Sequence, residues 1–304
     1  MTRIQANLVL LLAGAMWGMG FVAQSTAMQA IGPLLFIGLR FVVATLAILP
    51  FAVREGRRAE RRVRRSEWLA FAMIGLLLFA GMAAQQIGLL TTSVTNSGFL
   101  TGLYVVMVPF LAVMLFRQWP HPLVWPAALA ALAGIWLLSG GSIGAFAVGD
   151  WLTILCALIW ALQVIYTGRH AVASGRPVTL AVTQFAVCGV VALVFAFFIE
   201  PIGWPAIRAA LPEILYAGVI AGGAAFTLQA VGQRYTTAPQ AAIFLSTEAV
   251  FAALFGAIFL GERLPFEALA GCGLIFAAIL LVEAGPAFLS RRRLATRLTG
   301  RNVI

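Results

Sequence analysis

The sequence predicts an all-α membrane protein with ten transmembrane helices, built as two five-helix repeats of inverted topology with both termini in the cytoplasm. Three observations predict this fold: an apolar composition, a series of apolar runs of helix length, and an internal repeat. The chain is 62% hydrophobic and only 10% charged, and its mean hydropathy is +1.01. These values lie outside the range of soluble globular domains. The composition therefore indicates an integral membrane protein.

The apolar runs have the length that a bilayer requires, because a helix rises about 1.5 Å per residue and must cross about 30 Å of hydrocarbon. The connections between the runs are short and often contain Gly or Pro, so consecutive helices should be antiparallel neighbours. The expected helices cover residues 6–26, 33–53, 67–89, 95–116, 122–140, 150–169, 178–199, 212–233, 238–260 and 265–287.

Arginine carries all of the side-chain positive charge, because the sequence contains no lysine. With a cytoplasmic N-terminus, 17 of the 20 arginines fall in cytoplasmic segments and two in the opposite loops. This distribution satisfies the positive-inside rule and predicts a multi-pass protein of the inner (cytoplasmic) membrane. The arginine-rich loop from Arg54 to Arg65 is expected to lie near anionic lipid headgroups, and residues 288–304 to form a basic cytoplasmic tail. Nothing resembles the basic face of a nucleic-acid-binding domain.

The two halves of the chain resemble each other at an offset of 143 to 145 residues. Each half, at residues 6–140 and 150–287, contains five expected helices, and an odd number forces the second half to enter the membrane from the other side. Inverted repeats of this kind place a substrate site near the bilayer midplane, between the halves. The matched segments are Trp17 with Trp160, Arg40-Phe41 with Gln184-Phe185, Thr91-Thr92 with Thr236-Thr237, and Phe99-Leu100-Thr101 with Phe244-Leu245-Ser246.

The end of the second half carries a familiar pattern. The segment from Glu248 to Gly285 has the pair Gly261-Glu262 at the end of one helix, followed by a glycine-rich helix. It resembles the end of an EamA domain, the repeat unit of the drug/metabolite transporter superfamily. A tryptophan in the first helix of each repeat, here Trp17 and Trp160, is similarly typical. The resemblance covers about residues 6–285 and implies a ten-helix transporter similar to the exporters of aromatic and other amino acids.

The first half departs from this pattern at two positions. Phe116-Arg117 stand where the second half has Gly261-Glu262, and Leu103 stands where it has Glu248. The resemblance therefore does not imply a symmetrical pair of carboxylates. Any proton-linked chemistry would depend on one half alone.

Helical spacing places polar and aromatic residues on shared faces of several helices. Together these faces are expected to line a cavity with aromatic walls and a few amide or hydroxyl groups, which suits a partly apolar small molecule. Other placements remain open, because aromatic residues of membrane helices also face lipid and glutamines also form interhelical hydrogen bonds. The expected substrate-binding residues are Trp17, Phe21, Gln24, Phe79, Gln86, Thr101, Tyr104, Trp160, Gln163, Phe226, Gln229, Phe244 and Glu248.

Glu248 lies near the middle of its span, where an ionisable side chain is costly and therefore indicates a functional site. It is expected either to bind a substrate amino group or carry a proton, or to pair with Arg40. We expect Arg40 to be a structural charge, because it also has backbone carbonyls and the outer interface within reach. In the first span, Gly14 and Gly18 form a stripe of small residues that suits close helix contact.

Helix-weakening residues predict where the transporter bends. Glycine and proline weaken helix interiors, although glycine also permits close packing, and the sequence does not separate these roles. The expected gating residues are Gly75, Gly81, Pro109, Gly222 and Gly223.

The combined expectation is a secondary transporter that exports amino acids and related small metabolites, with a preference for aromatic or large apolar side chains. An exporter of multiple drugs or quaternary amines and a passive channel remain alternatives. No phosphate loop, paired cysteine spacing or nucleophile constellation occurs, so we expect no enzyme activity, no metal and no cofactor. The sequence leaves the choice between monomer and homodimer open.

Overall fold

Backbone polar groups inside a bilayer must be satisfied within the protein, which favours helices for apolar segments of this length. The computed structural model describes residues 1–92, 94–138, 147–260 and 265–299, and all regular structure in that part of the chain is helical. The helices are α1 Arg3–Ala27, α2 Pro33–Arg57, α3 Arg65–Gly88, α4 Val94–Gly102, α5 Tyr104–Phe116, α6 Val124–Leu138, α7 Val148–Ser174, α8 Pro177–Ile199, α9 Trp204–Ala209, α10 Leu211–Tyr216, a π-helical segment Ala217–Ala224, α11 Ala225–Gln233, α12 Ala238–Leu245, α13 Glu248–Leu260 and α14 Phe266–Thr299.

Eight helical stretches of the described residues are long and apolar enough to cross a membrane. Each coincides with an apolar run of the sequence, which confirms an all-helical membrane protein. The helices α1, with 25 residues, and α6, with 15, are not among the eight. The stretches are Pro33–Arg57, Arg65–Gly88, Ser97–Phe116, Val148–Ser174, Pro177–Ile199, Leu211–Gln233, Ala238–Phe255 and Phe266–Ala284. The pair Gly261-Glu262 lies outside the described residues.

Two of the expected helices are broken near their middles, at corresponding places in the two halves. Leu103 separates α4 from α5, and Ser246 and Thr247 separate α12 from α13. The Ser246 and Thr247 hydroxyls donate to the carbonyls three residues earlier, at 2.7 Å each, and so compete with the helical hydrogen bonds. Tyr104 therefore opens α5 as Glu248 opens α13, although the sequence comparison aligned Glu248 with Leu103.

Helix α1 packs closely against the broken helix of the second half, formed by α12 and α13. A Cβ atom on Gly14 would lie 2.6 Å from the Thr247 hydroxyl oxygen, and one on Gly18 would lie 2.7 Å from the Ala252 nitrogen. The close contact expected from this small-residue stripe is thus confirmed. It brings the middle of α1 against the start of α13.

The π-helical segment between α10 and α11 is tied to α1 by side chains. Its wider turns displace carbonyl groups from the α-helical pattern. The Trp17 indole donates to the Ala221 carbonyl at 2.9 Å, and the Tyr216 hydroxyl donates to the Met16 carbonyl at 3.2 Å. The Thr227 hydroxyl satisfies the Gly223 carbonyl at 2.6 Å. These bonds stabilise an irregular helix in the interior.

Helices α2 and α8 cap each other. The Glu200 carboxylate, at the end of α8, accepts hydrogen bonds of 2.8 Å from the backbone N–H groups of Leu34 and Leu35 in α2. The Glu55 carboxylate, near the end of α2, accepts bonds of 3.0 and 2.8 Å from those of Val178 and Thr179 in α8. A carboxylate at a helix N-terminus is favoured by the free N–H groups and by the helix dipole. Two distant residues thus cap corresponding helices of the two halves.

We predict that Glu55→Gln and Glu200→Gln each lower the free energy of unfolding by about 1–2 kcal/mol, since one charged acceptor is lost from a helix N-terminus. The two sites lie at opposite ends of a helix pair, so the losses should add in the double variant. Thermal unfolding of purified protein in detergent measures the effect, and the matched control is Glu60→Gln, at an exposed position outside the helices. Equal melting temperatures for all these variants would contradict the capping role.

The arginine-rich loop contacts the end of α7. The Arg61 guanidinium binds the Glu67 carboxylate through two bonds of 2.8 and 2.7 Å, and it also donates to the carbonyls of Ala173 and Ser174 at 3.3 Å. The Arg176 guanidinium donates to the Arg61 carbonyl. The expected contact between this loop and anionic lipid stays a prediction. Arg61, in addition, links the loop to Glu67 and to the end of α7 within the protein.

Candidate functional site

A cavity lies at the breaks in the two interrupted helices, between residues contributed by both halves. It has a volume of about 50 Å³, well below the 300–1,000 Å³ or so of typical ligand pockets. A substrate the size of an amino acid therefore fits only after the walls of the cavity move apart. The expected binding residues that line it are Trp17, Gln24, Thr101, Tyr104, Trp160, Phe226, Gln229 and Glu248.

Phe226 is the centre of the aromatic wall. Its ring lies 4.7 Å from the Trp17 ring and is stacked 5.6 Å from the Trp160 ring, measured between centroids. Behind it, Phe41 and Phe185 lie 6.1 and 6.2 Å away. The tryptophans occupy corresponding positions in the two halves, so one phenylalanine joins aromatic residues of both.

Three buried glutamines form a chain of amide hydrogen bonds beside this wall. Gln229 donates to Gln163 at 3.1 Å, and Gln163 donates to Gln184 at 3.1 Å. Gln163 does not line the cavity but holds Gln229, which does. The Gln229 amide oxygen has no hydrogen-bond partner within the described part of the chain. This buried acceptor is free to receive a bond from a ligand.

Some expected binding residues lie elsewhere. The Phe79 ring is stacked 5.6 Å from that of Phe195, a residue on the outer surface. Phe244 and Gln86 are buried in the protein but do not line the cavity. The side chain of Phe21 lies outside the described residues. Their roles in binding stay predictions without support from this geometry.

The expected gating residues occupy two different settings. Gly222 and Gly223 lie in the π-helical segment, and Gly222 also lines the cavity. Gly75 lies in an uninterrupted helix, where its Cβ would be 2.7 Å from that of Val187, so its small size permits α3 to pack against α8. Of the remaining two, Gly81 lies inside the uninterrupted α3, and Pro109 lies inside α5, the second part of a broken helix. Bending at any of these residues stays a prediction.

Arg40 and Glu248 both line the cavity. Ion pairs between described residues with N–O distances up to 4.0 Å do not include either side chain, so the structure does not show the direct pair that the sequence left open. The Arg40 guanidinium lies over the rings of Phe36 and Phe41, at 5.2 and 4.9 Å from their centroids, and donates to the Met82 sulfur. Opposite charges therefore share one cavity without a direct contact.

Sequence reasoning missed several lining residues. Gln85 donates to the Thr101 hydroxyl at 3.1 Å and lines the cavity, whereas the expected residue was its neighbour Gln86. The internal repeat could have identified Gln85 as a lining residue, because Gln85 corresponds to Gln229 at an offset of 144. Met82 also lines the cavity, and the sequence places it on the same helix face as Phe79 and Gln86. The other lining residues not expected from the sequence are small or apolar, and they are Gly20, Val164, Ala221 and Leu245.

Comparison with known proteins gives the family. The model of the EamA-like transporter family matches residues 4–140 and again residues 147–284. An uncharacterized transporter of Archaeoglobus fulgidus is 30% identical over 92% of this chain and 86% of its own length. The uncharacterized transporter YwfM of Bacillus subtilis is 28% identical over 92% of this chain and 94% of its own. A crystal structure at 20% identity superposes with a TM-score of 0.80 over 96% of this chain and 99% of the other. The chain therefore belongs to the EamA-like transporter family and is a multi-pass membrane protein that transports small molecules.

Proposed function

We propose that this transporter exports amino acids and related small metabolites, with a preference for aromatic or large apolar side chains. The observation that carries the proposal is the aromatic wall of Trp17, Trp160 and Phe226 beside the free Gln229 amide oxygen. An aromatic wall binds an apolar side chain, and fixed polar groups orient the rest of the molecule. This wall, with its few polar groups, suits amphipathic solutes of amino-acid size.

Transport in this proposal proceeds by alternating access, as a secondary transporter without nucleotide hydrolysis. The small cavity volume supports a cycle in which the walls open, and the π-helical segment with Gly222 and Gly223 supports bending beside the site. A wider cavity of about 550 Å³ is lined by the end of α5, by α7 and by the connection between α11 and α12, with Phe116, Tyr166 and Thr236 among its lining residues. We assign it to the path from the cytoplasm.

The proposed topology has ten membrane-spanning helices, namely the eight stretches described above together with α1 and α6. Its halves are residues 6–140 and 150–287, followed by the basic tail 288–304, with both termini in the cytoplasm and the protein in the inner membrane. The two family matches and the reciprocal caps of α2 and α8 support this division. The arginine distribution supports the orientation.

The test is counterflow of labelled aromatic amino acids into proteoliposomes that contain the purified protein. We expect saturable counterflow, which distinguishes a carrier from a passive channel. Trp17→Ala and Trp160→Ala should each weaken it by about tenfold, since each removes an aromatic contact. Trp204→Ala, at a site that is 71% exposed, is the control. No counterflow with the wild-type protein would overturn the proposal.

One observation favours a second candidate, an exporter of quaternary amines or other cationic drugs. Glu248 has no ion pair among the described residues and lies in the same cavity as the aromatic rings. Aromatic faces next to a carboxylate bind organic cations. For this function, Glu248→Gln should abolish transport of cations and spare neutral solutes.

A further inference from the structure

We infer that Arg40 and Glu248 bind the two charges of a zwitterionic substrate, Arg40 its carboxylate and Glu248 its ammonium group. The inference rests on the proposed function and specifies what the central cavity recognises. It also gives Arg40 a role in binding, in place of the structural role expected from the sequence.

The Arg40 guanidinium is buried, and no carboxylate of the described residues lies within 4.0 Å of it. The residue is 4% exposed, and within the described residues its Nε has no hydrogen-bond partner. A guanidinium has five N–H donors, while the Met82 sulfur that it contacts is a weak acceptor. The rings of Phe36 and Phe41 contact the guanidinium through their faces and supply no oxygen or nitrogen acceptor. A buried cation left in this state is costly, and a carboxylate in the cavity would supply the missing acceptors.

The Glu248 carboxylate is the complementary group. It lies at the start of α13, in the middle of a broken helix, and lines the cavity without an ion pair in the described part of the chain. A direct bond to Arg40 would leave neither charge free for a ligand. Because the two side chains do not form a direct ion pair, the cavity offers the N–H donors of Arg40 and the carboxylate acceptor of Glu248 at the same time.

The aromatic wall completes the selection. Trp17, Trp160 and Phe226 line the same cavity as the two charges. A solute with a carboxylate, an ammonium group and an apolar side chain uses all three features. A solute that lacks one charge leaves the opposite protein charge buried and unpaired. Loss of one charged contact corresponds to an affinity about 10- to 100-fold weaker.

The experiment uses three solutes that share a phenyl ring: L-phenylalanine, phenethylamine without the carboxylate, and 3-phenylpropionate without the ammonium group. Each competes with labelled L-phenylalanine in proteoliposome counterflow, and each is also tested for thermal stabilisation of the protein in detergent. The wild-type protein should bind L-phenylalanine about 10- to 100-fold more tightly than either analogue. Equal binding of all three solutes would overturn the inference.

Variants assign each charge to a residue. Arg40→Gln should weaken binding of L-phenylalanine and leave that of phenethylamine unchanged, and Glu248→Gln should weaken L-phenylalanine and leave 3-phenylpropionate unchanged. Arg208→Gln and Glu267→Gln, both at exposed positions, are matched controls. Variants that weaken all three solutes equally would overturn the assignment. If Arg40→Gln does not fold, Arg40→Lys, which retains the charge but not the planar donor fork, should still favour the zwitterion.

The two readouts separate this inference from the proposed function. Charge-selective stabilisation without counterflow would overturn amino-acid transport and support the binding mode. Counterflow of L-phenylalanine with equal competition by both analogues would support transport and overturn the binding mode. Neither stabilisation nor counterflow by any of the three solutes would overturn both.

Discussion

Phe226→Ala is expected to lower the free energy of unfolding by about 3 kcal/mol or more, the range found when a buried aromatic side chain is truncated. The side chain is 3% exposed and contacts the rings of Trp17, Trp160, Phe41 and Phe185. Its loss leaves these rings without a common neighbour, and lipid cannot fill the space. The melting temperature in detergent measures the effect, which should be a fall of several degrees.

Two further variants make this test specific. Phe226→Leu retains most of the volume and should lose much less stability, although it removes the stacked ring next to Trp160. Phe198→Ala truncates a phenylalanine that is 79% exposed and should have little effect. Similar melting temperatures for Phe226→Ala and Phe198→Ala would contradict the central position of Phe226.

Gly18→Ala should cost about 1–3 kcal/mol by overpacking, and Gly18→Leu more. The added Cβ would lie 2.7 Å from the Ala252 nitrogen and 2.8 Å from the Glu248 carbonyl oxygen. Both are backbone atoms, so α1 and α13 must move apart instead of one side chain moving aside. Because this contact adjoins the cavity, we also expect slower transport. Melting temperature and counterflow measure the two effects.

The matched control is Gly273→Ala, since a Cβ there would have no atom within 4 Å and the helix remains intact. Alanine also has the higher intrinsic helix propensity, so this variant should be neutral or slightly more stable. Equal behaviour of Gly18→Ala and Gly273→Ala would show that the small residue in α1 is not needed for packing.

Long apolar runs were sufficient to predict most of the helices, because length and hydropathy are local properties of the sequence. The breaks at Leu103 and at Ser246-Thr247 were not predicted. Gly102 adjoins the break at Leu103, but glycine also occurs inside uninterrupted helices, as Gly81 does in α3, and so do serine and threonine. The position of a helix break depends on packing against other helices. The break at Thr247, for example, lies directly against Gly14 of α1.

The site was predictable to the extent that helical faces and the repeat define it. Trp17 and Trp160 follow from their matched positions, and they do meet at one cavity. Phe79 and Phe244 share helices with lining residues but face elsewhere, since the rotation of a helix depends on its neighbours. Arg40 shows the same limit, because nothing near it in the sequence reveals that its guanidinium has no carboxylate partner among the described residues.

The reciprocal caps of α2 and α8 have a consequence for the order of biosynthesis. The N-terminus of α2 is capped by a carboxylate 166 residues later in the chain. At a synthesis rate of about 5–20 residues per second, that partner is made roughly 10–30 s after the helix it caps. For α8 the order is reversed, because Glu55 is made 123 residues before its partner, Val178. The N-terminus of α2 therefore stays without its cap until Glu200 has been synthesised. The N-terminus of α8, in contrast, can be capped as soon as it is made, because Glu55 is already present.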